Sequence, residues 1–227
     1  MASLPFAPEL ASLLDRLHGA SEGQEGAIRG YFEARAAAGT LSWNGLDEES
    51  HRFFADKLVA LDRDKAAFVF HLSRAMACRR VVEVGTSYGV STLYLAEAVR
   101  QTIAAEGGRG LVVGTEHEAA KASAARDNFA AAGLSDLIEL REGDLRRTLK
   151  DLSGPIDLVL MDIWVEMARP AIELIAPHLR AGAAVLADNT AQFEGRPYAD
   201  YFAFVREQGF STLTLPFAGG LEMSVKL

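Results

Sequence analysis

The feature that most restricts the fold of this chain is an alternation of short apolar segments with helix-like segments after residue 78. The apolar segments lie within RRVVEVG, LVVGTE, LIELREGD, DLVLMD and AAVLADN. The segments between them are STLYLAEAVRQTIAAEG, EAAKASAARDNFAAAG and EMARPAIELIAPHLRAG, which have helical character. Strands that alternate with helices predict βαβ units, and hence an α/β fold with a doubly wound, mostly parallel sheet buried on both faces.

The end of the chain breaks this alternation. The segment FSTLTLPFAGGLEMSVKL predicts two strands joined by a turn at Ala218, Gly219 and Gly220. Two strands joined by a short glycine-containing turn form an antiparallel hairpin. We therefore expect an antiparallel hairpin at one edge of the parallel sheet.

The first part of the chain shows helical spacing. Leu10, Leu13, Leu14 and Leu17 recur at steps of three and four residues. Further helices are predicted over 26–39, from Asp47 as an N-cap, and from about Asp64 to Met76. We predict a helical extension over residues 1–60, which covers a pocket or forms a dimer interface, and a second domain over residues 61–227.

Composition excludes several classes of protein. The net charge is −8, and an acidic chain is a poor partner for nucleic acid, which is bound through Lys and Arg. The single cysteine, Cys78, cannot form an internal disulfide, which favours a cytoplasmic location. The N-terminal segment MASLPFAPEL lacks the features of a signal peptide, and no apolar run approaches the ~20 residues of a membrane span.

Three predicted strands are followed by residues suited to a nucleoside cofactor. Ligands of open α/β sheets bind at the carboxyl ends of the strands. The first strand leads into Glu83-Val-Gly-Thr-Ser-Tyr-Gly89, where glycines allow a tight turn and close approach to a ligand. Glu116 ends the second strand and can accept both ribose hydroxyls. Gly143 and Asp144 end the third, where a carboxylate can meet the adenine amine.

The next two strands end in oxygen ligands. Asp162 follows the fourth strand, and Asp188 and Asn189 follow the fifth. Two carboxylates and an amide at the same sheet edge suit a hard cation such as Mg²⁺. The sequence therefore predicts a metal site beside the cofactor site, although each Asp alone could equally cap a helix or bond a loop.

These strand ends resemble those of the class I S-adenosylmethionine-dependent methyltransferases. The resemblance implies a Rossmann-like methyltransferase fold of seven strands with S-adenosylmethionine (SAM) as the cofactor. The residues that it implies for cofactor binding are Glu83, Gly85, Thr86, Ser87, Gly89, Ser91, Glu116, His117, Gly143, Asp144, Asp162 and Trp164.

The "LADN" ending and the D-x-W at Asp162–Trp164 resemble the catechol O-methyltransferase-like branch, over residues ~61–227. Asp64 and Lys65 also lie at the spacing of that branch's "DAKG"-like segment. The resemblance implies that Asp162, Asp188 and Asn189 bind Mg²⁺ and form the catalytic set. It further implies methyl transfer to a hydroxyl of a small catechol-like or other diol or phenol substrate, and is compatible with a homodimer.

One position departs from the branch. A lysine that serves there as general base is replaced by Val165, and valine cannot accept a proton. The metal alone could acidify the hydroxyl, the substrate could already be ionised, or Glu166, His51 or His117 could replace the lysine. Trp43, Phe193, Arg196 and Tyr198 are further candidates for substrate contact. Two alternative functions stay open: an NAD(P)-dependent oxidoreductase, and a non-catalytic SAM-binding or regulatory protein.

Overall fold

The computed structural model describes residues 4–42, 45, 47–191 and 198–227. Its strands are β1 (Arg80–Val84), β2 (Leu111–Glu116), β3 (Ile138–Glu142), β4 (Ile156–Met161), β5 (Leu179–Asp188), β6 (Phe210–Leu215) and β7 (Leu221–Lys226). They form one sheet in the order β3-β2-β1-β4-β5-β7-β6. The pairings from β3 to β5 are parallel, and β7 runs antiparallel to both β5 and β6. The predicted Rossmann-like methyltransferase fold, with its C-terminal hairpin, is confirmed.

The described helices are α1 (Pro8–Glu22), α2 (Glu25–Ala37), α3 (Glu48–Phe54), α4 (Arg63–Ala75), α5 (Val90–Glu106), α6 (Ala119–Ala131), α7 (Leu145–Thr148), α8 (Val165–Ile175) and α9 (Ala199–Glu207). The predicted N-cap of α3 is confirmed, because the Asp47 carboxylate accepts a hydrogen bond from the Ser50 amide at 2.9 Å. The short helix α7 was not predicted, since four residues are too few for a periodic pattern.

One predicted boundary is wrong. The helix predicted over EMARPAIELIAPHLRAG ends at Ile175, and residues 179–182 are the first part of β5. A 3₁₀ turn over Ala176–His178 separates the two elements. The apolar spacing continues through this junction, so periodicity alone could not place the end of the helix.

The sheet divides the core into two layers. Val81, Val112 and Leu158 point to one face, whereas their neighbours Val82, Val113 and Val159 point to the other. This follows from the alternation of side chains along a strand. Both layers are fully buried, which explains why the parallel strands appear in the sequence as continuous apolar bursts.

The N-terminal helices pack against the same core. Leu10, Leu13 and Leu14 of α1 belong to the layer that contains α4 and α5. Leu58 and Leu61 are buried beside them, although they follow α3 rather than lie within it. The division at residue 60 stays a prediction. No helix among the described residues is long and apolar enough to cross a membrane.

Candidate active site

The turn after β1 joins the two halves of the predicted site. Gly85 has a φ of +97°, and a Cβ at this position would overlap the backbone carbonyl oxygen of Asp162. Gly89 has a φ of +83° and lies against the ring of Phe129. Both glycines are therefore required by contacts within the protein, and the turn passes directly beside the residue that follows β4.

Glu83 lies fully buried beneath this turn. One carboxylate oxygen, Oε2, accepts hydrogen bonds from the hydroxyls of Thr86, at 2.9 Å, and Thr92. The other, Oε1, is buried without a hydrogen-bond partner among the described residues. Burial raises the pKa of Glu83. Ser91 is buried in the first turn of α5. Its hydroxyl acts in the opposite direction to burial and lowers the pKa of Glu83. A buried carboxylate with an open oxygen fits a cofactor that carries positive charge.

Glu116 ends β2 as predicted, and its carboxylate is fixed by backbone groups. Ser87 N donates to Oε2 at 2.7 Å, and Glu118 N donates to Oε1 at 2.8 Å. Each oxygen retains a further lone pair for a ligand hydroxyl. Ser87 has a φ of +51°, and its buried hydroxyl has no hydrogen-bond partner among the described residues. His117 follows and is exposed.

Gly143 and Asp144 lie beside the end of β2, because Gly143 N donates to the Glu116 carbonyl at 2.8 Å. The Asp144 carboxylate caps α7 by accepting from Arg146 N at 2.9 Å. The Arg146 side chain also binds it, and this hydrogen bond lowers the pKa of Asp144 to about 2. Asp144 therefore caps α7, and it also lies next to the end of β2, where Glu116 stands.

The second part of the site is the Asp–Asp–Asn cluster, which we define as Asp162, Asp188 and Asn189. Burial raises the pKa of Asp162 well above its usual range, and repulsion from Asp188 raises it further. Burial also raises the pKa of Asp188, although Lys65 opposes that change. The two carboxylates predicted from separate strands are therefore brought together. Among the described residues, only burial and neighbouring charges, and no hydrogen bond, act on the Asp162 carboxylate, which leaves it open to a cation.

Lys65 lies beside this cluster, and sequence reasoning did not assign it a role there. Its side chain is 1% exposed, and its Nζ lies 2.7 Å from Asp188 Oδ1. The same Nζ lies 3.4 Å from Asn189 Oδ1 and 3.3 Å from Asp62 Oδ2. The only signal was the Asp64-Lys65 segment, which carries no information about a contact across more than a hundred residues.

The C-terminal hairpin fixes the backbone of Asn189. Asn189 has a φ of +56°, a left-handed conformation that Asn tolerates better than most residues. Its amide donates to the Gly220 carbonyl at 3.1 Å, and Ala191 N donates to the Gly219 carbonyl at 2.9 Å. The Tyr198 hydroxyl donates to the Asp188 carbonyl at 3.2 Å. The cluster is therefore supported by segments downstream of β5.

Aromatic side chains lie next to the cluster. Trp164 occupies the N-cap position of α8 and is 36% exposed. Its ring contacts Phe54 of α3 edge to face, with centroids 5.0 Å apart. This contact connects the N-terminal helices to the residues that follow β4. An exposed, edge-packed tryptophan is suited to bind a planar ligand.

The residue that replaces the general-base lysine of the branch has a packing role. Val165 begins α8 and contacts the core layer beneath it. Three residues were considered as replacements for that lysine. All of them are exposed: Glu166, His51 and His117. Trp43, Phe193 and Arg196 lie outside the described residues. The buried Lys65, from a different element, is the lysine that lies beside the cluster.

Two concave regions open onto these residues. A narrow cleft is lined by Gly85, Ser87, Ser91 and Asp162 on one side and by residues 58–61 on the other. A cavity of about 300 Å³ is lined by Glu22, Asp62, Arg63, Asp64, Lys65, Phe217 and Ala218. Lys65 thus lines this cavity and also contacts the cluster through Asp188. The narrow cleft brings residues of the Glu83–Gly89 turn together with Asp162, and the cavity reaches the Asp–Asp–Asn cluster through Lys65.

Comparisons with known proteins agree with this arrangement. Residues 82–190, just under half of the chain, match a family described as a methyltransferase domain. The chain is 33% identical over 138 residues to a catechol O-methyltransferase of Mycobacterium tuberculosis, across 60% of each chain. It is 22% identical over 149 residues to a catechol O-methyltransferase of Niastella koreensis, across 59% of this chain and 64% of that protein. The matches span about three fifths of the length of these relatives.

Solved structures show the same fold. An O-methyltransferase from Bacillus cereus in complex with SAH superposes with a TM-score of 0.66 at 18% identity, covering 100% of this chain and 94% of that chain. An SAH-bound methyltransferase from Podospora anserina superposes with a TM-score of 0.63 at 21% identity, covering 100% and 99%. The match to a methyltransferase-domain family favours the methyltransferase interpretation over the oxidoreductase.

Proposed function

We propose that this chain, which carries a class I methyltransferase domain at residues 82–190, is a SAM-dependent O-methyltransferase of small hydroxylated molecules. The observation that carries the proposal is the meeting of two residue sets at one sheet edge. The Glu83–Gly89 turn passes beside Asp162. The same turn donates Ser87 N to the Glu116 carboxylate, so that Glu116 and the Asp–Asp–Asn cluster both adjoin one turn.

The cofactor is positioned by β1, β2 and the start of α5. The open oxygen of Glu83 and the open carboxylate of Asp162 favour its positive charge. The α5 N-terminus has no side-chain cap and no acidic residue in its first turn, so its amides favour a carboxylate. Glu116 accepts the ribose hydroxyls. When bound, SAM supplies an electrophilic methyl carbon, and the substrate oxygen forms its bond to that carbon as the sulfur–carbon bond breaks.

The substrate oxygen belongs at the Asp–Asp–Asn cluster, next to Trp164. Trp164 and Phe54 provide an aromatic wall for a planar ring, so the class we propose is a catechol-like or other vicinal diol or phenol. The named catechol O-methyltransferases among the relatives support this class. The protein contributes mainly by positioning the reactants and excluding water.

Divalent-ion dependence is a further part of the proposal. The donor set of two carboxylates and an amide oxygen fits a hard cation. Asp162 and Asp188 both have raised pKa values, and the Lys65 ammonium pairs with Asp188. The site therefore has more carboxylates than cations, which favours binding of a further positive charge. Asp162, Asp188 and Asn189 would hold the ion, which would stabilise the anionic form of a phenol. Cytoplasmic location, the homodimer and the division at residue 60 stay predictions.

The test separates cofactor binding from chemistry. Asp162→Asn should lower methyl transfer to a panel of catechols by on the order of 100-fold, because it removes an anionic ligand of the proposed divalent ion. It should leave SAH affinity within about threefold, since SAH lacks the sulfonium charge that Asp162 would favour and Asn keeps the shape at the turn. Asp136→Asn, at an exposed residue, is the matched control.

Two results would contradict the proposal. Binding of NADH with no heat from SAH in calorimetry would favour the oxidoreductase. SAH binding without methyl transfer to any member of the panel, with or without EDTA, would favour a non-catalytic SAM-binding protein.

A further inference from the structure

The fold places the positive charge of Lys65 beside the Asp–Asp–Asn cluster. It lies in the first turn of α4 and reaches the carboxyl end of β5. Its side chain is as buried as the apolar core, which is uncommon for lysine unless the ammonium is paired. Asp188 provides that pairing from a carboxylate that is itself 5% exposed.

The ammonium contacts the same atoms that a divalent ion would use. Nζ lies at ion-pair distance, 2.7 Å, from Asp188 Oδ1, which has no hydrogen-bond partner among the described residues, and Asp188 Oδ2 accepts from Asn189 Nδ2 at 2.9 Å. The amide oxygen of Asn189, the third ligand, lies 3.4 Å from Nζ. Both residues contributed by the end of β5 are thus engaged by protein donors. Asp162 is the member of the cluster left open.

We propose that the Lys65 ammonium and a divalent cation compete for Asp188 and Asn189, so that Lys65 is the resident cation of the cluster and sets its metal affinity. The inference rests on the proposed divalent-ion site. It explains how Asp188 is held in place by charge before any ion arrives. It also assigns Lys65 as a positioning residue that acts on the substrate site through Asp188 and Asn189.

The test is a titration with Mn²⁺ followed by electron paramagnetic resonance. Lys65→Met removes the charge and the donor, whereas Lys65→Gln removes the charge and keeps an N–H donor. Both variants should bind Mn²⁺ about tenfold more tightly than the native protein, because a neighbouring like charge is removed. Lys150→Met, at an exposed lysine, should leave Mn²⁺ affinity unchanged. A side chain with a merely structural role would give the opposite sign, since a damaged site binds metal more weakly.

The outcomes are distinct. Mn²⁺ binding by the variants and not by the native protein is the strongest form of the expected result. Equal or weaker binding by both variants overturns the inference, and so does the absence of Mn²⁺ binding in all forms. SAH calorimetry on the same samples reports on the proposed methyltransferase function separately, because Lys65 lies outside the cofactor residues.

A measurement on the native protein covers the case in which the variants do not fold. A crystal soaked in Mn²⁺ locates the ion by anomalous scattering. The expected result is that Nζ moves away from Asn189 Oδ1 when the ion is present. An ion bound at full occupancy to Asp188 and Asn189, with Nζ unmoved, overturns the competition.

Discussion

The cofactor half of the site and the Asp–Asp–Asn cluster hold their carboxylates in different ways. Glu116 receives two backbone amides, and Asp144 receives a backbone amide and a guanidinium. In the cluster, two carboxylates share one ammonium, and Asp162 has no hydrogen bond among the described residues. The first half is prearranged by the backbone, whereas the second keeps an excess of negative charge. That difference suits one half to hold a nucleoside and the other to attract a cation.

The contact between the two halves can be broken at Gly85. Gly85→Ala places a Cβ on the Asp162 carbonyl and forces alanine to a φ of +97°. We expect the free energy of unfolding to fall by about 3 kcal/mol, because backbone strain and overlap both add cost. Urea denaturation measures it.

The control for this change is Gly26→Ala. Gly26 lies in α2 with nothing within 4 Å of an added Cβ, and alanine favours the helix. This variant should therefore be slightly more stable than the native protein. Equal stability of both variants would show that the turn and the Asp162 carbonyl are not in close contact.

The cofactor half can be weakened alone at Glu116. Glu116→Gln removes the charge that holds Ser87 N and Glu118 N and that would accept the ribose hydroxyls. We expect SAH affinity to fall by about 10- to 100-fold, which is the range for hydrogen bonds to a charged group. Mn²⁺ affinity should stay constant, because Glu116 is not part of the cluster. Glu139→Gln, at an exposed glutamate of β3, is the control. A parallel loss of Mn²⁺ binding would show that the halves are not independent.

The smallest expected effect is on the pH dependence of the free energy of unfolding. The raised pKa values of Asp162 and Asp188 mean that the folded protein binds more protons than the unfolded chain above about pH 4. Their contribution should therefore increase stability as pH falls toward about 4. The lowered pKa of Asp144 acts in the other direction, since its stabilisation is lost as pH falls from about 4 toward 2.

Chemical denaturation of the native protein and Asp162→Asn between pH 5 and 8 isolates the contribution of the cluster. The variant should be the more stable at pH 8, and the difference should shrink as pH falls. A difference that is constant across this range would contradict the assignment of a buried, underpaired carboxylate at Asp162.

The sequence was most informative where function follows strand ends. The apolar bursts of β1, β2 and β4 are buried on both faces, so their ends at Val84, Glu116 and Met161 were visible in the sequence. The end of α8 was misplaced because one apolar pattern runs from the helix into β5. Lys65 could not be predicted, because Asn189 is 124 positions away along the chain and the contact depends on where the fold places the first turn of α4 relative to the end of β5.

The hairpin turn at Gly219 and Gly220 lies beyond the segment that matches the methyltransferase-domain family. The family match stops at residue 190, yet the amides of Asn189 and Ala191 are held by carbonyls from thirty residues further on. A shortened protein ending at 190 would keep every proposed metal ligand and lose the clamp that orients the last of them. The C-terminal hairpin thus holds the backbone of a proposed metal ligand, as well as completing the sheet.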